Sequence, residues 1–167
     1  MTSETYPPSS RPSVLLPALL AGGLLAGTLD ALSAFHAFGR NMPYGIASGL
    51  LGSKANPAAG GGGAAIWTLG LALHYFIALS AAAIYCGASR WLGFLRKHFF
   101  FGGVICGAAV FLGMNLVVLP CSAVPFPVGP FSVQALRGGL FSHIYLVGLP
   151  ISASLWFFAR RAAAKAG

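Results

Sequence analysis

The chain has 167 residues, of which 57% are hydrophobic and only 7% charged, where a soluble domain carries about 25% charged residues. This excludes an ordinary water-soluble globule, and an aromatic content of 13% excludes a disordered chain, which is polar and poor in aromatics. The net charge of +8 does not indicate nucleic-acid binding, because the basic residues are scattered between long apolar runs instead of forming a patch.

Four runs are long enough to cross a bilayer, which takes about 20 residues. Each is read as a helix, since a helix satisfies its own backbone hydrogen bonds in lipid. The alternation that a β-barrel needs is absent. The expected architecture is therefore an all-α integral membrane bundle of four transmembrane helices, with 1–13 an N-terminal segment, 14–159 the bundle and 160–167 a basic tail. The first span covers about 14–38 and carries Asp30, the one acid in any span. It has a second reading, a cleaved signal peptide, with Arg11 ahead of the apolar stretch and Ala31 and Ser33 as small residues near a cleavage point.

The connection 39–63 ends in Gly60-Gly61-Gly62-Gly63. No Gly-Lys-Ser/Thr follows, so this is not a phosphate loop, and the composition suggests a flexible linker. Within it, 44–51 is too short to span and reads as a candidate interfacial or re-entrant half-helix. The second span, about 64–88, carries His74. A short basic loop with Arg90, Arg96 and Lys97 leads to the third span, about 99–121, which carries Asn115. The next connection is apolar and holds Pro125, Pro127 and Pro130; proline stiffens it, and it is expected to rest on the membrane or cap the bundle. The fourth span, about 134–159, carries His143 and leads into Arg160-Arg161.

Seven basic residues (Arg11, Arg90, Arg96, Lys97, Arg160, Arg161, Lys165) fall on one side of such a bundle and three (Arg40, Lys54, Arg137) on the other. Basic loops stay in the cytoplasm, so both termini are expected there. Trp91 and Trp156 then lie near the inner interface and Trp67 near the outer one. Arg160-Arg161 is expected to touch anionic headgroups.

Helices meet in lipid through small residues that allow close approach. Gly23, Gly27 and Ala31 recur four apart in the first span, Gly103 and Gly107 in the third, and Gly70 shares a face with Ala78 and Ala81 in the second. Extending these stripes by fours reaches His74, Asn115 and, through Gly139, His143. The same glycine faces also allow a homo-oligomer. At about 1.5 Å rise per residue, Asp30, His74, Asn115 and His143 all lie roughly 9 to 15 Å below the outer boundary. A buried acid is costly unless paired or protonated, and a neutral histidine can both donate and accept. An intramembrane polar layer of Asp30, His74, Asn115 and His143 is thus expected, with Ser33, Ser80, Ser142 and Tyr145 able to extend it.

Three roles suit such a layer. It can simply hold the helices together through interhelical hydrogen bonds, each contributing about 0.6 kcal/mol. It can form a proton or solute path, which intramembrane ionisable residues mark by default. Alternatively, His74 and His143, on different helices at equal depth, can ligate a non-covalent haem or, with Asp30, a transition metal. Non-enzymatic membrane roles are favoured and no cofactor is required: no Gly-x-Ser-x-Gly, His-Glu-x-x-His or carboxylate pair occurs. Cys86, Cys106 and Cys121 form no Cys-x-x-Cys and are expected to pack as apolar residues. His36 and His98 are expected at the interfaces.

Residues 64–161 resemble the YagU-like family of bacterial inner-membrane proteins of unknown function. The resemblance is carried by His74 followed by Tyr85-Cys86 before the basic loop, by Asn115 five residues ahead of Pro120, and by the proline-rich connection that precedes a last span with His143 and Arg160-Arg161. It implies an inner-membrane location and no particular activity. Together these readings predict a multi-pass membrane protein, either a small transporter or proton-linked protein using the polar layer, or a structural or accessory subunit.

Overall fold

The structure is a computed structural model that describes residues 12–127, 129 and 132–165. The expected N-terminal segment up to Arg11 lies outside the described residues, as do Val128, Pro130 and Phe131 of the proline-rich connection and the last two residues of the tail. Every regular element described is helical: α1 (Pro12–Phe38), α2 (Met42–Leu51), α3 (Ala64–Ala88), α4 (Phe94–Lys97), α5 (Phe99–Gly113), α6 (Val133–Ser142) and α7 (Leu149–Ala164). Four helical segments are long and apolar enough to cross a membrane. Span 1 is α1 and span 2 is α3. Span 3 is α5 continued by a π turn (Met114–Val118), and span 4 is α6 and α7 joined through a π segment (His143–Gly148).

Both π segments end two residues ahead of a proline, Pro120 and Pro150. A proline in a helix lacks the N–H and collides with the carbonyl four residues back. Widening the preceding turn lets the backbone hydrogen-bond in another register, as membrane helices with prolines commonly do. Leu119 N–H accordingly donates to the Met114 carbonyl at 2.8 Å, and Leu149 N–H donates to Ile144.

Span 1 packs along spans 2 and 4, span 4 packs along span 3 as well, and α2 lies against the start of span 2. Glycines set these approaches. A side chain at Gly23 would meet Leu79 and Ala82 of span 2, and one at Gly27 would meet Tyr75 and Ala78. Gly103, Gly107 and Gly148 bring spans 3 and 4 into backbone contact, and Gly70 accommodates the Pro43 carbonyl of α2. The glycine pairs proposed as oligomer faces are thus consumed inside the bundle. The core is correspondingly small-residue rich, with Ala18, Ala26, Ala82 and Cys86 beside Ile151 and Leu155. Leu16, Phe76, Ile84, Phe101, Leu116 and Phe157 stay exposed on the outer faces, as side chains facing acyl chains would.

Spans 2 and 3 scarcely touch along most of their length. Near the ends that carry the chain termini they are bridged by Tyr85, whose hydroxyl shares its one hydrogen between Ser152 Oγ at 2.7 Å and the Leu95 carbonyl at 3.1 Å. Ser152 Oγ donates in turn to the Phe99 carbonyl at 2.7 Å. Toward the other end the two spans part and leave a slot.

The connection between spans 1 and 2 is folded, in contrast to the flexible linker expected. The half-helix 44–51 is part of α2, which buries Met42, Pro43, Ala47 and Ser48. Gly60, Gly62 and Gly63 take positive φ, and Gly61 N–H donates to the Asn56 carbonyl at 3.0 Å. The glycines here build tight turns. Trp67 Nε1 donates to the Arg40 carbonyl at 3.1 Å, joining the two ends of this connection. At the opposite end of the bundle, Arg160 lies over the Trp156 ring at 4.7 Å, and Trp91 is exposed.

Candidate functional site

The slot between spans 2 and 3 is a cavity of about 600 Å³. Span 1 contributes Asp30, Ala34 and Phe38, span 2 contributes His74 and Ile77, span 3 contributes Val110 and Met114, and span 4 contributes His143 and Val147. At the end away from the termini it is roofed by α2 and by the connection after span 3. One backbone hydrogen bond, from Ala123 N–H to the Gly49 carbonyl at 2.9 Å, ties the two roof segments together.

Three of the four residues of the expected polar layer line this one cavity. His74 Nε2 lies 2.8 Å from the Gly27 carbonyl of span 1 and 4.0 Å from Asp30 Oδ2. Gly27 allows this approach, since its missing side chain leaves room for span 2. His74 is buried, and its ring meets Tyr75 edge-on at 5.7 Å. The Asp30 side chain keeps 23% of its surface accessible; facing the cavity, its carboxylate is neither sealed in the core nor turned to acyl chains. His143 opens the π segment of span 4, and its Nδ1 lies 2.8 Å from the Gly139 carbonyl one turn back. Phe111 holds the His143 ring edge-on at 5.6 Å and fills the space above Gly139.

Asn115 does not join them. Its Nδ2 donates to the Phe111 carbonyl of its own helix at 2.8 Å, and it does not line the cavity. The reason is geometric. Positions four apart on an α-helix drift by about 40° per step, so a stripe begun at Gly103 has turned away from span 4 by residue 115. In span 2 the same drift does no harm, because Gly70 faces α2 while His74 and Ala78 face span 1. Ser33, Ser80, Ser142 and Tyr145 do not extend the layer, since none lines the cavity. Tyr145 is turned outward and stacks on Phe141 at 4.3 Å.

Sequence reasoning missed the Tyr85–Ser152 link at the other end of the slot. Its signal was present: two hydrogen-bonding side chains near the same ends of spans 2 and 4. Cys86 and Cys106 are buried beside it, whereas Cys121 is exposed rather than packed. His36 and His98 are exposed.

Among the described residues, no group of three or more His, Cys, Asp or Glu stands close enough to hold a metal ion. The ring nitrogen that His74 turns toward Asp30 is already bonded to a carbonyl, so the pair does not form a ligand set with His143. Among the described residues a His-His-Asp metal site is therefore not assembled.

No family model, curated protein or solved structure matches this chain. The resemblance of 64–161 to YagU-like proteins gains no support from these comparisons. The fold and the cavity define a multi-pass membrane protein with four spans, and any function has to be argued from the cavity.

Proposed function

We propose that this is a small proton-linked membrane carrier whose path runs through the cavity between spans 2 and 3. One observation carries the reading: ionisable side chains from three different spans, Asp30, His74 and His143, line a single cavity within otherwise apolar helices. Such residues are costly in a bilayer and mark solute or proton routes. An imidazole nitrogen can take up or release a proton, so a proton can be exchanged between the cavity and an entering solute. The Tyr85 links lie toward the termini and the Ala123–Gly49 hydrogen bond ties the roof, so the two ends of the bundle around the slot are held by separate contacts.

In vesicles loaded with a pH-sensitive dye, the protein is expected to dissipate an imposed pH gradient faster than empty vesicles do. Asp30→Asn and His74→Ala are expected to abolish this while retaining the helical circular-dichroism spectrum. Variants that keep full proton flux but melt earlier would instead support the second reading, an accessory subunit whose layer holds the bundle. That reading is favoured by the bond from His74 to Gly27, which ties span 2 to span 1. The division of basic residues supports cytoplasmic termini. A carboxy-terminal fusion to a reporter that fluoresces only in the cytoplasm is expected to be bright.

A further inference from the structure

We propose that the cavity binds a lipophilic ammonium, a protonated amine carried on a compact apolar body. This rests on the reading of the cavity as a solute site and names the class of solute.

The argument is a count of donors and acceptors. A peptide carbonyl only accepts, so a ring nitrogen facing one carries the hydrogen. His143 Nδ1 faces the Gly139 carbonyl at 2.8 Å, which leaves Nε2 of the neutral ring as a lone-pair acceptor. His74 Nε2 faces the Gly27 carbonyl at 2.8 Å, so its N–H is already used and Nδ1 is the acceptor. Among the described residues, the nearest charged or ring-nitrogen partner of the Asp30 carboxylate is that same Nε2 at 4.0 Å, beyond hydrogen-bond range. An ionised carboxylate only accepts. The Ser122 hydroxyl on the roof donates to the Leu119 carbonyl at 2.7 Å.

Among the described residues, no lysine or arginine lines the cavity. The Asn41 amide is a neutral group that can donate as well as accept; a carboxylate, a phosphate or a quinone carbonyl would otherwise meet acceptors, whereas an N–H-bearing cation would find the acceptors Asp30 and His143 on the walls. Hydrogen bonds between charged partners are roughly twice as strong as neutral ones. Apart from Asn41 and Ser122 the remaining lining, including Phe38, Ile46, Met114 and Phe126, is apolar, and about 600 Å³ falls in the range of small-molecule sites. An aminophospholipid also offers an ammonium, but its phosphate would follow into a cavity with no basic side chain. The free amine is the better match.

The test uses the full chain in phosphatidylcholine nanodiscs, with binding followed by calorimetry and thermal shift. The probe is 2-phenylethylammonium, compared with the near-isosteric neutral 2-phenylethanol. The ammonium is expected to bind saturably, and the alcohol at least about tenfold more weakly, a difference of about 1.4 kcal/mol. Asp30→Asn is expected to abolish the preference and Asp30→Glu to keep most of it. If Asp30→Asn does not fold, the comparison of the two probes on the unaltered protein still decides. Equal binding of ammonium and alcohol, or no binding of the ammonium, overturns the proposal. Unchanged binding in folded Asp30→Asn does so too. Loss of the probe when phosphatidylethanolamine is added to the discs would assign the site to a lipid headgroup and overturn the free-amine assignment. Ammonium binding without proton flux keeps this inference and removes the carrier reading; flux without binding does the reverse.

Discussion

Asn115 and His143 look equivalent along the chain, one polar side chain per span at similar depth, yet their surroundings differ. Each bonds a carbonyl one turn back on its own helix, Phe111 for Asn115 and Gly139 for His143. For asparagine this leaves the side chain off the cavity. For histidine it fixes the tautomer and leaves the second nitrogen for the cavity. Asn115→Leu is therefore expected to leave proton flux at its normal level and to change stability by less than about 1 kcal/mol, since an intrahelical bond is replaced by apolar contact. Flux assays and thermal melts of this variant beside His143→Ala check the contrast; flux lost in Asn115→Leu would return Asn115 to the path. Tyr85 shows the opposite case, a hydroxyl that serves two partners on other segments. Tyr85→Phe would remove the hydroxyl shared by Ser152 Oγ and the Leu95 carbonyl, while Ser152 keeps its bond to Phe99. A loss of about 1–2 kcal/mol is expected, read as earlier thermal unfolding in detergent.

At the scale of helices, the four spans were legible because bilayer thickness imposes a minimum length on any apolar run, and each run exceeded it. Faces were legible where a glycine stripe met a neighbour: Gly23 and Gly27 on span 2, Gly103 and Gly107 on span 4. The π segments were not read, although prolines at 120 and 150 signal them, because hydropathy carries no information about hydrogen-bond register. Two glycines of span 3 separate packing from propensity. A side chain at Gly107 would run into the Ile144 backbone and the His143 carbonyl, while one at Gly113 would meet open space. Gly107→Ala is expected to push spans 3 and 4 apart, cost about 1–3 kcal/mol and displace His143, lowering flux as well as melting temperature. Gly113→Ala is expected to be neutral or stabilising by up to about 1 kcal/mol. Equal effects of the two in parallel melts would mean that the crossing does not depend on close backbone approach.

Which helices pair is a property of the whole bundle, and no stripe on one span states it. The chain reads as four spans in sequence, but spans 2 and 3 are consecutive and nearly separate. Their separation makes the cavity, and α2 with the connection after span 3 covers it. The roof offers a direct test of whether transport needs this end to open. A side chain at Gly49 would stand 3.7 Å from Ser122 Cβ, close to the average Cβ separation of a disulfide, about 3.8 Å. Gly49 is not among the glycines with positive φ, so a cysteine there meets no backbone conflict. In a background with Cys121→Ser, the pair Gly49→Cys and Ser122→Cys is expected to oxidise and raise the melting temperature, with at most about 4 kcal/mol of stabilisation for a loop of this length. Oxidation is expected to stop proton flux and reductant to restore it, because the disulfide would lock the roof while the Tyr85 links hold the end near the termini. Binding of a membrane-soluble amine through the gap between spans 2 and 3 is expected to survive the lock. A cross-linked protein that still dissipates the pH gradient would show that protons cross without the roof moving.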